Sequence, residues 1–481
     1  MGYPSTSAEN HAALVQTVRD RFRCPEEFLD FRLAGELSPA PAYFRFGANT
    51  TCYGRSWEED GRPQPAPPLR DLLSCVSVDG TQLVLPFDPN EIIDNLRLER
   101  YPGCQLNERE RTLKNAYYWL RPVTNRWIRS RVQRFRVAGW QKRAFPRWPV
   151  DSTVDNLCEN LLLLALRASG VSSLPFIWFW PNGARCCVSM THDVETAAGR
   201  DFCGRLLDID DSFGFKSSFQ VVPEGPYSVP PAYLSEIRDR GFELCVQDLN
   251  HDGRLFDERE SFLRRAARIN HYAEEYGATG FRAAVLYRKP EWFSDLEFSF
   301  DMSIPNVGHL DPQRGGCCTV TPYFVGDRLE LPLTTIQDYT LFHMLGERST
   351  ALWKLQLELI LARNGLATFL VHPDYITGPK EQAVYMDLLA VLAALREREN
   401  IWAALPREID VWWRARNSMS IVREDNSWRI VGAGAERAVL AFAKNVDGQL
   451  VYELANPQRG ELLDFRTHRR QRPQDGCTTI V

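Results

Sequence analysis

From about residue 183 to 415 the chain alternates two kinds of hydrophobic pattern. Apolar runs of strand length occur at CCVSM (186–190), SSFQVV (217–222), FELCVQ (242–247), FRAAVL (281–286), FSFDMSI (298–304), LELPL (329–333) and ATFLVH (367–372). Amphipathic stretches of helical length follow several of them, at 197–212, 232–240, 257–276, 348–364 and 380–398. Strands alternating with helices of this length predict βαβ units and a mostly parallel sheet or barrel.

The flanks lack this rhythm. Residues 1–182 read as an irregular α+β accessory region. LLSCVSV and TQLVLPF suggest strands there, and RPQPAPPLR (62–70) a linker or surface loop. Beyond 416, SMSIV, WRIV, AVLAFAK and QLVYEL are β-rich, and Asp447-Gly448 signals a hairpin turn. The expectation is three parts: 1–182, a barrel at 183–415, and a small antiparallel β appendage with a frayed tail at 416–481.

Composition changes this picture little. The chain has 481 residues, 44% hydrophobic and 25% charged, which suits a globular protein of about three domains. A net charge of -5 argues against a whole-protein nucleic-acid binder, and no nucleic-acid partner is expected. The first residues, MGYPSTSAENHAAL, have neither the basic nor the apolar region of a secretory signal, so the expected location is cytoplasmic. The longest apolar run, Leu161–Leu166, is far short of a membrane span and reads as a buried helix face. The 12 cysteines form no CxxC pair, and reduced, packing thiols are the simplest account.

One segment stands apart. Between Arg109 and Arg147, arginines and lysines recur without an acid after Glu110, interleaved with Tyr117, Tyr118, Trp119, Trp127, Phe135 and Trp140. It fits peripheral contact with a membrane surface or an anionic substrate. It equally fits a solvated helix pair whose aromatics pack on the barrel.

The chemistry concentrates at Cys187–Thr196, CVSMTHDVET. A strand there ends in His192, Asp193 and Glu195, and groups at the carboxyl ends of parallel strands face the ligand crevice. Asp193 and Glu195 are two apart, so on an extended chain they share one side. Two such carboxylates repel unless a cation or a proton sits between them. The competing reading is an N-cap for the following helix. The third strand candidate delivers Gln247, Asp248 and His251 to the same rim. Glu195 and His251 are candidate metal ligands, and Gln247, four residues before His251, joins them if that loop is helical. His372 ends the seventh candidate, where Pro373 stops the ladder, and is placed as a general acid. Arg282 could orient Asp193, and Asp301 could orient His372. His192, Asp248 and His309, the last in a Gly-rich loop with Asp311, are candidate substrate contacts.

This order of motifs resembles the NodB-homology polysaccharide deacetylases, carbohydrate esterase family four, over about 186–415. The resemblance implies a deformed (β/α) barrel and metal-dependent removal of N- or O-acetyl groups from a saccharide or sugar-linked substrate. The implied cofactor is a divalent ion, zinc, with cobalt or nickel as alternatives. It implies Asp193 as catalytic base, Glu195, His251 and the Gln247 position as metal ligands, and catalytic roles for Arg282, Asp301 and His372. Glu195 replaces the family's usual aspartate, Ala284 a proline, and Gln247 a ligand histidine, which leaves a weaker donor. Two other readings fit the same residues: a catalytically weakened sugar-binding or scaffold protein, and a metal-dependent amidase acting on a small non-sugar substrate.

Overall fold

The computed structural model describes residues 6–57, 62–66, 68–105, 110, 112, 137–425, 427–455 and 462–465. Its centre is a curled nine-stranded sheet. The strands are β1 (Cys186–Val194), β2 (Ser217–Val221), β3 (Glu243–Gln247), β4 (Gly280–Arg282), β5 (Phe300–Asp301), β6 (Tyr323–Val325), β7 (Arg328–Glu330), β8 (Leu366–Leu370) and β9 (Ile401–Ala403). Their order is β6-β7-β5-β4-β3-β2-β1-β8, with β9 paired to the start of β1. Every pair is parallel except β6–β7, so the carboxyl ends of the other strands gather at one rim. The seven strand candidates all fall on observed strands, though FRAAVL and FSFDMSI contribute only short pieces. β6 and β9 were not foreseen.

Helices α1 (Ala197–Ser212), α2 (Pro231–Asp239), α3 (Arg259–Tyr276), α4 (Ala351–Leu361), α5 (Pro379–Glu399) and α6 (Pro406–Ser418) include all five amphipathic segments. The hydroxyl of Thr196 caps α1 by accepting from the Gly199 amide at 3.0 Å. Asp193 is therefore not the cap.

The expected deformed barrel takes the form of a curled sheet that is open at one edge. β8 has no ladder partner on its far edge among the described residues. The segment after β7 spans that gap with side chains: the Thr334 hydroxyl donates to Leu366 O at 2.7 Å and the Thr335 hydroxyl to Thr368 O at 2.8 Å.

Alternation along the strands divides the interior in two. Cys186, Val188 and Met190 of β1 face outward and pack with Leu206, Ile237, Ile269 and Leu388 of the helices. The opposite face runs Cys187, Ser189, Thr191, Asp193, from apolar to charged as it rises to the rim. Its lower residues, Cys187, Cys245 and Leu366, join a second core built mostly from the flanking regions. Gly280 opens β4 because a Cβ there would lie 2.9 Å from the Cys245 sulfur and against the Phe300 ring.

The tail strands do not form a free-standing appendage. Leu440–Val446 pairs with Gln449–Ala455 through a turn at Asp447 (φ 50°) and Gly448 (φ 81°), as the Asp-Gly signal predicted. The first of these strands also pairs with Ser173–Ile177, and the helix Thr153–Ser169 packs in the same core. Residues from both flanks thus share one sheet beneath the barrel. Among the described residues no helix is long and apolar enough to cross a membrane.

Candidate active site

Strand alternation turns Thr191 and Asp193 inward at the top of β1, and Glu195 follows on the same side. Arg282, the last residue of β4, is fully buried; its Nη1 donates to Asp193 Oδ1 at 2.6 Å and lies 3.0 Å from the Thr191 hydroxyl. Its Nε donates to Met302 O at 3.1 Å, which fixes the plane of the guanidinium. The expected Arg282–Asp193 contact is present. Burial pushes the Asp193 carboxyl up from its ordinary range, and the Arg282 charge opposes that shift.

Gln247 ends β3, with its amide between the two carboxylates. Nε2 donates to Asp193 Oδ2 at 2.8 Å and to Glu195 Oε1 at 3.3 Å. Its Oε1 is buried and has no hydrogen-bond partner. The next residues turn sharply: Asp248 (φ 50°) and His251 (φ 56°) both adopt left-handed backbone. That turn, rather than a helical one, brings His251 Nε2 to 2.8 Å from Glu195 Oε1.

His372, just past β8, approaches the same oxygen from another side, with Nε2 at 3.4 Å. Its Nδ1 lies 2.6 Å from Asp338 Oδ1, and its backbone amide donates to Asp338 Oδ2 at 2.8 Å. Asp338 thus holds both ring and backbone. Burial works against the charged imidazole, but Asp338 and Glu195 outweigh it and hold His372 well above its ordinary value. Glu195 shows the converse. Burial pushes it up, while His251 and His372 together bring it well below the carboxylate range.

Six of the expected site residues therefore converge: Asp193, Glu195, Gln247, His251, Arg282 and His372. Four do not. His192 alternates to the outer face, where its ring lies 2.9 Å from Val371 O and 3.1 Å from Asp210 of α1, fully buried. Its ring therefore points away from the cluster at the rim. Asp248 is buried under its own loop, accepting from the Leu249 amide at 2.6 Å, and burial pushes it to about 6. His309 is 2% exposed and stacks on Trp148, with ring centroids 6.2 Å apart; burial pushes it down to about 4. Asp301 does not orient His372. Its neighbours Phe300 and Met302 belong to the inner core, so alternation turns Asp301 the other way, beside its cross-strand partner Glu330.

Asp338 is the residue that sequence reasoning missed. It lies in TTIQDYTLF, outside any strand-end motif, and only the closure across the β7–β8 gap brings it under His372. The arginine and aromatic residues between 113 and 136, including Tyr117, Tyr118, Trp119, Trp127 and Phe135, lie outside the described residues. Of that segment's edges, Trp140 packs on Trp148 (4.7 Å between centroids), and Arg143 donates to His309 O at 3.4 Å.

Ligand atoms of Asp193, Glu195 and His372 lie within 4.8 Å of one another, the spacing that a single cation can bridge. His251 Nε2 borders Glu195, and the Gln247 amide borders both carboxylates through its Nε2. Carboxylate, imidazole and amide oxygen are donors that divalent metals accept, so the residues present fit a metal site.

No protein-family profile matches the chain, and no curated protein sequence is significantly similar to it. Solved structures are. A protein assigned as a polysaccharide deacetylase from Mycobacterium smegmatis is 19% identical over 52% of this chain and 98% of its own, with a TM-score of 0.40. An allantoinase is 13% identical over 49% of this chain and 92% of its own, with a TM-score of 0.39. A protein assigned as a polysaccharide deacetylase from Pseudomonas aeruginosa PAO1 is 13% identical over 49% of this chain and 93% of its own, with a TM-score of 0.38. At low identity and over about half its length, the chain is similar to solved polysaccharide deacetylases, the group that its motifs resemble.

Proposed function

We propose that this chain is a metal-dependent deacetylase that hydrolyses an N- or O-acetyl group on a saccharide or sugar-linked substrate. The observation that carries this reading is the convergence on Glu195 of two imidazoles, with a second carboxylate, Asp193, fixed by a buried arginine beside it. Glu195, His251 and Gln247 would hold the divalent cation. When bound, it supplies Lewis-acid polarisation of the acetyl carbonyl and neutralises the charge that builds on its oxygen.

The remaining steps belong to the side chains. Arg282 fixes Asp193 through Oδ1, which leaves Oδ2 for the proton of the attacking water; an ionised carboxylate oxygen can accept more than one hydrogen bond. The water oxygen bonds to the acetyl carbon, and the carbon–nitrogen or carbon–oxygen bond to the sugar breaks. Asp338 holds the Nδ1 side of His372, so Nε2 faces the site and gives its proton to the departing nitrogen or oxygen. Acetate and the free amine or alcohol result. Elemental analysis of the purified protein, with and without His251→Ala, tests the centre. Near-stoichiometric zinc, cobalt or nickel that disappears in the variant is expected, with acetate release from an acetylated saccharide lost in parallel. A protein that takes up no ion from excess zinc would sink the reading.

One observation favours a second reading, a sugar-binding protein with a silenced site. The Gln247 amide donates to both carboxylates, the role a cation would otherwise take. Acetate release by the unaltered chain decides against it.

A further inference from the structure

Beside His372 stands a group of rings that the reaction steps leave unused. Tyr375 lies 4.9 Å from the His372 ring, between centroids. Tyr339 and His343 lie 5.5 Å and 5.1 Å from Tyr375, and 5.3 Å from each other. All three are half-buried, while Thr340, Leu341, Phe342 and Ile376 around them are buried. They therefore form a contiguous aromatic face that reaches solvent. Tyr339 directly follows Asp338, and the six-residue π-helical turn Thr340–Leu345 carries His343. Such widened turns are rare and recur at functional sites. Asp374, between His372 and Tyr375, has a buried Oδ1 with no hydrogen-bond partner, an acceptor left without a donor.

We infer that Tyr339, His343 and Tyr375, with Asp374, form the subsite that holds the pyranose ring of the leaving group. The inference rests on the deacetylase reading, because His372 must protonate an atom of the sugar. The sugar ring then lies on the His372 side of the acetyl group, where this face stands. A pyranose has an apolar C–H face and a rim of hydroxyls. The C–H face suits the electron-rich faces of the aromatic rings, and one hydroxyl supplies the donor that Asp374 Oδ1 lacks. Specificity for a saccharide would come from this wall, not from the metal-binding cluster.

The test compares two acetyl donors across Tyr375→Leu, His343→Leu and Tyr375→Phe. Di-N-acetylchitobiose carries a sugar leaving group, and ethyl acetate does not. The leucine variants are expected to lower kcat/KM for the saccharide about tenfold, chiefly through KM, and to leave ethyl acetate hydrolysis unchanged. Tyr375→Phe keeps the ring and should behave as the parent. His343→Leu sits a ring away from His372, which guards against disturbance of the acid itself. Parallel losses on both donors in both leucine variants, or an unchanged saccharide rate, would overturn the subsite and spare the deacetylase reading. Calorimetric binding of di-N-acetylchitobiose needs no turnover. Binding by the parent that weakens in the leucine variants supports saccharide binding at this face even if no acetate is released, an outcome that would overturn the deacetylase reading and with it the leaving-group role. A parent that neither binds nor hydrolyses the saccharide overturns the subsite.

Discussion

The sheet carries two pairs of carboxylates, and they behave oppositely. Asp193 and Glu195 stand at the rim, with the Glu195 side chain 17% exposed, faced by Arg282, Gln247, His251 and His372. Asp301 and Glu330 stand opposite each other on β5 and β7, each about 1% exposed. Backbone amides serve one oxygen of each: Ser303 donates to Asp301 at 2.8 Å and Ile304 to Glu330 at 2.9 Å. Their other oxygens have no partner but each other, which a single shared proton satisfies. Glu195 is held well below the usual range by imidazoles, and Glu330 well above it by burial and by Asp301. Paired carboxylates alone do not mark a site. Arg282 and the imidazoles of His251 and His372 contact the first pair directly, whereas among the described residues no cationic side chain hydrogen-bonds to the second, which burial dominates.

The comparison breaks most visibly at Asp193. Asp193→Asn keeps the shape, removes the proton acceptor and leaves the buried Arg282 without its counter-charge, so kcat for acetate release should fall about a thousandfold and the melting temperature should fall as well. Retention of a tenth of the activity would show that Asp193 is no base.

Asp338→Asn should lower kcat about a hundredfold. Asp338 raises the His372 value, so its loss lowers it. A general acid works only while protonated, and the alkaline limb of the kcat profile should therefore move to lower pH. An unmoved limb would remove His372 from the acid role.

Gln247→His sharpens the contrast from the metal side. Replacing an amide oxygen by an imidazole should tighten zinc binding about tenfold or more, measured by competition with a chelating dye. Unchanged affinity would place the cation on other residues.

The smallest effect on activity is expected in the second pair. Glu330→Gln should leave kcat within about twofold, because Glu330 touches nothing at the rim. Its signature is stability. In the folded chain Glu330 keeps its proton above the ordinary 4.5, whereas the unfolded chain loses it there. The unfolded state then binds fewer protons, so this group makes stability fall as pH rises from about 4.5 toward the folded value. Glutamine cannot ionise, and the variant should show a flatter melting temperature over that range. An equally steep profile would mean that the pair is not sharing a proton.

The periodicity of the chain was enough to place the seven foreseen strands, the five foreseen helices and the Asp-Gly hairpin, because these depend on local spacing and turn chemistry. It also placed five of the six residues that converge, since a parallel sheet delivers its strand ends to one rim; Arg282 opened the candidate strand 281–286, and only the structure shows it as the last residue of a shorter strand. The misplaced residues share a physical cause. His192 and Asp301 sit within strand runs, where a shift of one residue reverses the face, and a motif read without its alternation does not tell which side chain looks inward. Asp248 and His309 sit in loops whose burial follows from how the chain folds back over them.

What tertiary structure alone decided is closure. The gap between β7 and β8 is bridged by Thr334 and Thr335, and the same stretch carries Asp338 beneath His372 and the Tyr339–His343 turn beside it. Likewise, the pairing of Leu440–Val446 with Ser173–Ile177 joins residues more than 260 apart, a contact that no local pattern encodes. Sequence determines such contacts only through the packing of the whole chain, because the energy that selects them comes from surfaces that meet after the local elements have formed.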